Sequence, residues 1–104
     1  MAKTNPYDIE IARLHRTAAE SRLRAVESQL SLALTLCAIA ETEIRYSRND
    51  EAIKVVKKVR HHAETIRFHL DEPNHLPSIA ISDLRKQLEK VNKRLEKIES
   101  CFQR

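Results

Sequence analysis

The sequence predicts an all-α fold, an antiparallel three-helix bundle running up, down and up, with an extended first helix. Three observations carry this expectation. Apolar residues recur at alternating steps of three and four in three stretches: Leu23, Val26, Leu30, Ala33, Cys37, Ala40 and Ile44; then Ala52, Val56, Val59, Ala63, Ile66 and Leu70; then Leu84, Leu88, Val91, Leu95, Ile98 and Phe102. That spacing keeps one stripe of a helix facing a partner helix. No strand-like alternation competes with it, and the 104 residues contain no glycine. Two polar or proline-bearing segments separate the three stretches and supply the reversals of direction.

The first helix is expected over about residues 6–46. Asn5 is a good N-cap, Pro6 suits the first helical position, and the carboxylate of Asp8 suits the positive end of the helix dipole. Nothing between Tyr7 and Tyr46 breaks a helix. The segment Ser47-Arg48-Asn49-Asp50 makes the first turn, with Ser47 or Asn49 as a cap for the second helix, about residues 49–70. Pro73 and Pro77 place a loop over 71–77. The third helix is expected over about residues 78–102, capped by Ser78 or Ser82. Together these elements make a single helical domain spanning residues 1–104.

The lengths do not match. The second helix, folded back along the first, covers it only to about residue 25. Residues 7–24 then lack a neighbour, although they offer Ile9, Ile11, Leu14 and Ala18; Arg16 falls on the stripe and weakens it. Isolated helices of this length are marginal in water, so these four residues are the expected contact points for a second copy or for a helical or peptide partner. A further row on the first helix, Ala25, Leu32, Leu36, Ile39 and Tyr46, is expected to touch both other helices. The third helix, with a narrow stripe and a charged exterior, is the outer one.

Charge and composition restrict the function. There are 19 Lys and Arg against 15 Asp and Glu, a net charge of +4, and aromatics make up only 4%. Lys54, Lys57 and Lys58 with His61 form one basic row, and Lys86, Lys90, Lys93 and Lys97 a second. These rows could hold phosphates and make a nucleic-acid adaptor the alternative reading. Base-reading or stacking side chains beside them are missing, and acids such as Glu89 and Glu96 interleave, so a solvated, ion-paired surface is the preferred reading.

Catalysis has little to stand on: there is no glycine for a phosphate loop and no Ser/His/Asp set on loops. Five histidines raise the question of a metal, but the single Glu-x-x-His, Glu72 to His75, falls in the proline loop, and paired ligand motifs are missing. No cofactor is expected. Cys37 and Cys101 should sit about 12 Å apart along the bundle, too far to bridge, and are read as reduced thiols. The opening Met1-Ala2-Lys3-Thr4-Asn5-Pro6 lacks a secretory apolar core, and the apolar-rich run Leu30 to Ala40 is shorter than the roughly 20 residues a bilayer needs. A cytoplasmic, non-membrane protein is expected. Phe68 lies off the main stripe and is expected to pack under the 71–77 loop with Leu76.

The segment Tyr46-Ser-Arg-Asn-Asp-Glu-Ala-Ile53, followed by Val56 and Val59, resembles the helical hairpin of tetratricopeptide repeats and the same region of microtubule-interacting-and-transport domains. The resemblance spans about residues 33–66. It implies a helical surface that grips a peptide or a partner helix, and it carries over no individual binding residue. The whole reading is of a non-catalytic interaction or assembly module.

Overall fold

The structure, a computed structural model, describes residues 5–73 and 75–103. Residues 1–4, read above for a signal, and the loop residue Asn74 lie outside them. Three helices follow in order: α1 over Pro6–Arg45, α2 over Asn49–Asp71 and α3 over Ser78–Ser100, closed by a 3₁₀ turn, Cys101–Gln103. The fold is all-α, and its contacts are those of an up-down-up bundle. α1 and α2 make the most extensive pairing, and α3 packs against both.

The core is the heptad stripe of each helix. Val26, Leu30, Ala33, Cys37 and Ala40 of α1 meet Val56, Val59, Ala63, Ile66 and Leu70 of α2 and Leu84, Leu88, Val91, Leu95 and Ile98 of α3, all buried. Leu23, Ile44 and Phe102 pack half-buried at the margins. The second α1 row behaves differently from expectation. Leu36 packs against the core, but Ala25, Leu32, Ile39 and Tyr46 are exposed. In a three-helix seam one stripe per helix meets both neighbours at once, and small residues at Ala33, Cys37 and Ala40 let α2 and α3 approach it closely. A second stripe has nothing left to touch.

The 40 residues of α1 form one helix without interruption, and the molecule measures 70 Å along its longest axis against 18 and 15 Å across. Its start is as the sequence implies: the Asn5 side chain accepts from the Tyr7 amide at 2.9 Å, and Pro6 is the first helical residue. α1 is also long and apolar enough, by length and composition alone, to cross a bilayer, with an 18-residue window of mean hydropathy 1.3. This differs from the sequence reading, which weighed only the shorter run Leu30 to Ala40. Only 28% of that window is buried within the bundle.

The turns differ from expectation. Neither Ser47 nor Asn49 caps α2; Arg48 occupies the cap position and makes no side-chain hydrogen bond there. Ser47 instead ends α1, in the left-handed region at φ 60°. Its amide donates to the Ile44 carbonyl at 2.9 Å and the Arg48 amide to the Glu43 carbonyl at 2.7 Å, the paired bonds of a Schellman ending. Glycine is the residue suited to that conformation, and this chain has none. α3 opens at Ser78 behind Pro77, so neither serine caps it through its side chain. Leu76 is buried and joins the core, while Phe68 is exposed and lies edge-on to His69 with ring centroids 5.6 Å apart. The loop is too short to cover both, and the leucine takes the place on the seam.

Arginines tie the helices together from outside the seam. Arg94 on α3 holds Glu41 on α1 through two hydrogen bonds, at 2.5 and 3.5 Å. Arg60 on α2 pairs with Glu99 on α3. Arg85 on α3 donates to the Leu70 carbonyl and to Asp71 at the end of α2. Each pair is partly solvated, so these ties fix the register of neighbouring helices more than they add stability.

Two outcomes follow. Ser47→Gly removes the steric penalty of a left-handed non-glycine residue and raises stability by about 1 kcal/mol in chemical denaturation. Ile66→Ala, which empties a fully buried site of the seam, lowers it by roughly 3–4 kcal/mol.

Candidate functional site on the free faces of α1

α2 is 23 residues long, so it accompanies α1 for only about 35 Å of its ~60 Å. The lower limit of that cover is Arg22, whose Nε donates to the His75 carbonyl at 2.5 Å and joins the α2–α3 loop to α1. Tyr7, Ile9, Ile11 and Leu14 project beyond it, and the last three are 58, 52 and 61% exposed. The bare stretch is shorter than the lengths alone implied, because Ala18, Ala19, Arg22 and Leu23 are already half-buried.

The four expected contact residues do not share one face. At about 100° per residue, Ile11, Leu14 and Ala18 cluster on one side. Ile9 lies about 200° from Ile11 and, with Ala12, Arg16 and Ala19, continues the seam row past the point where α2 and α3 stop. The structure therefore gathers Ile11, Leu14 and Ala18 and separates Ile9 from them. The exposed second row, Ala25, Leu32, Ile39 and Tyr46, lies on the same side as this trio. The spacing of seven residues marks that continuation, which faces outward and not into the interior as the sequence predicts.

The basic residues form two separate rows. Lys54 pairs with Glu51 and Lys93 with Glu89, each at 3.3 Å. Lys57 lies beside the α2–α3 groove with Arg60, Glu99 and Phe102. Lys97 lies at the opposite edge of α3, beside Glu41 and Ile44 of α1. Lys86, Lys90 and Lys93 share a shallow cleft with Asp83 and Glu89. Lys58 is exposed on α2. Between the rows, the α2–α3 groove holds Arg60, Glu96 and Glu99, so its charge is mixed.

Other chemistry-bearing side chains are engaged structurally. Glu41 belongs to Arg94, whereas Glu43, whose Oε2 is buried without a hydrogen-bond partner, only lies 3.6 Å from Arg48. Burial pushes the Cys37 thiol above its usual range, more than the nearby Arg94 charge lowers it, which keeps the sulfur protonated and unreactive at neutral pH. Cys37 and Cys101 are both free. Among the described residues, no three His, Cys, Asp or Glu side chains gather as metal ligands.

One contact was invisible in the sequence. His69 at the end of α2 and His75 in the loop stack at 4.9 Å between ring centroids, with His69 Nδ1 and His75 Nε2 2.8 Å apart. The reversal at Pro73 brings them together, and no spacing rule reports the path of a short loop. A hydrogen bond between two imidazoles needs one neutral ring to accept. His75 is held below its ordinary range, first by desolvation and then by the charges of Arg22 and His69.

A histidine that titrates lower in the folded chain favours folding in its neutral form. Its contribution is complete above the unfolded value near 6.5 and is lost as pH falls below it. The thermal midpoint should therefore drop between pH 7.5 and 5.5, before carboxylates titrate, and His75→Gln should flatten that dependence. An unchanged slope in the variant would assign the effect to other groups.

Comparison of the chain with protein-family models, with curated proteins and with solved structures finds no match.

Proposed function

We propose that this chain is a non-catalytic helical assembly module that associates with a second copy of itself through the N-terminal part of α1. The observation that carries the reading is the projecting end of α1, where Ile11 and Leu14 stand more than half exposed on a stretch that neither α2 nor α3 accompanies. A helical end of this kind gains little stability from its own propensity and gains it from an apolar neighbour. Symmetric pairing of identical chains is the commonest way for a soluble protein to provide one. Two unpaired thiols, one of them buried, suit a reducing compartment and a cytoplasmic role.

Sedimentation equilibrium of the full chain at tens of micromolar tests the reading. The native chain should run as a dimer. Leu14→Glu, which alters a side chain outside the core, should run as a monomer with unchanged helicity. A monomeric native chain, or a variant that dimerises as well as the native one, would overturn the proposal.

A further inference from the structure

Building on that reading, we infer that two copies pair antiparallel along the whole outer stripe of α1, with the projecting end of each lying on the far half of the other. The stripe is defined by Ile11, Ala18, Ala25, Leu32, Ile39 and Tyr46, which follow one another at steps of seven. Leu14, Ser21, Ser28, Thr35 and Thr42 fall three residues after the first five and complete a heptad seam. Not one of these positions is charged over the length of a helix otherwise rich in charge. All but Ala18 are exposed, with Leu32, Ile39 and Tyr46 at 45, 42 and 64%.

Two of the four polar members, Thr35 and Thr42, are suited to burial. The hydroxyls of Thr35 and Thr42 donate to the carbonyls of Ser31 and Ala38, each at 3.0 Å, so those oxygens are already satisfied within the helix.

Orientation and register follow from size and charge. In a parallel pair Ser21, Ser28, Thr35 and Thr42 would each face their own copy, giving layers without a large apolar group. In an antiparallel pair with its two-fold axis between Val26 and Glu27, Leu14 meets Ile39, Ser21 meets Leu32 and Ile11 meets Thr42 of the second copy. Ala18 with Thr35 and Ala25 with Ser28 still lack a large apolar group, so such layers fall from six to four of the twelve. The axis lies about one residue from the midpoint of Pro6–Arg45, so both projecting ends are covered in full.

Beside the seam, Glu10 comes opposite Arg45 of the second copy, an attractive contact made twice. Asp8 comes opposite Glu43, whose charge Arg48 offsets from 3.6 Å. Shifting the sum of paired residue numbers by one heptad in one direction sets Arg24 against Arg24 across the axis. Shifting it in the other leaves Tyr7 and Ile11 without a partner. The twelve seam positions from Tyr7 to Tyr46, with as many flanking ones, make the roughly 20–30 residues a side that a stable interface uses.

The test uses the full chain with Cys101→Ser, which removes the exposed thiol and leaves buried Cys37 in place. Leu14→Cys combined with Ile39→Cys should, on mild oxidation, give a covalent dimer whose peptide map links position 14 of one copy to position 39 of the other. Links of 14 to 14 and 39 to 39 would overturn the orientation, and a native dimer that forms neither link would overturn the register.

Separately, Glu10→Arg should weaken dimerisation by about tenfold, and Glu10→Arg with Arg45→Glu should restore it. Failure of the swap to restore affinity also overturns the register. Ile9→Ala should leave the dimer unchanged, since Ile9 lies off the stripe. If the native chain is monomeric, the assembly reading itself fails. Monomer that co-sediments with vesicles of anionic phospholipid would assign the stripe to a lipid surface instead.

Discussion

Burial along a single seam sets the dimensions of this molecule. Each helix contributes one stripe, and Leu30, Val59, Ile66 and Val91 meet along it with their side chains withdrawn from water. Each such side chain contributes about 2 kcal/mol, against about 1–2 kcal/mol for ordering each residue's backbone. Helical turns that do not reach the seam receive none of that return. Because α2 and α3 are 23 residues each, the seam ends near Arg22 while α1 runs on to Pro6. The radius of gyration is 18.6 Å, against about 13 Å for a compact chain of this length. The elongated shape is therefore a consequence of unequal helix lengths around one core.

The seam itself was legible residue by residue. Heptad spacing reports which side of a helix faces a neighbour, and the positions it selected, from Val26 to Ile98, are the buried ones. What the spacing does not report is whether a second apolar row has a neighbour to face. Ala25, Leu32 and Ile39 were assigned to the interior on apolarity alone, yet three helices around one axis leave that side of α1 open. Phe68 stays exposed instead of joining Leu76 under the loop for a related reason. The chain turns at Pro73 after α2, and where it then runs decides which apolar side chain reaches the core. Ser47 was misassigned because the absence of glycine removes the usual mark of a helix ending, and the chain makes that ending with a strained serine.

Of the candidate contact residues, helical geometry was enough to group Ile11 with Leu14 and Ala18 and to set Ile9 apart. Two residues of separation rotate a side chain to nearly the opposite side of the helix. The basic rows were legible as rows, but their relation to one another depends on how α2 and α3 turn in the bundle. Glu96 and Glu99 lie in the groove between them, beside Arg60. The His69–His75 pair depends wholly on loop geometry. It links the loop to α2 while Arg22 links the same loop to α1, so the lower end of the bundle is held by polar contacts on both sides.

If α1 presents the assembly face proposed above, it meets two opposed requirements. A continuous row of Leu and Ile along 40 exposed residues would drive indiscriminate association. A charged row would keep chains apart. Alternating large apolar residues with Ser, Thr and Ala satisfies both: the surface stays wettable alone, yet it carries no charge that pairing must strip of water. The antiparallel pairing proposed above would add a reason for the unequal helix lengths. In the proposed pair, the half of α1 backed by its own α2 and α3 would receive the bare end of the second copy, and the two-fold axis would repeat the exchange. On that proposal neither copy would need a longer α2, because each would supply to the other the neighbour that its own hairpin is too short to provide.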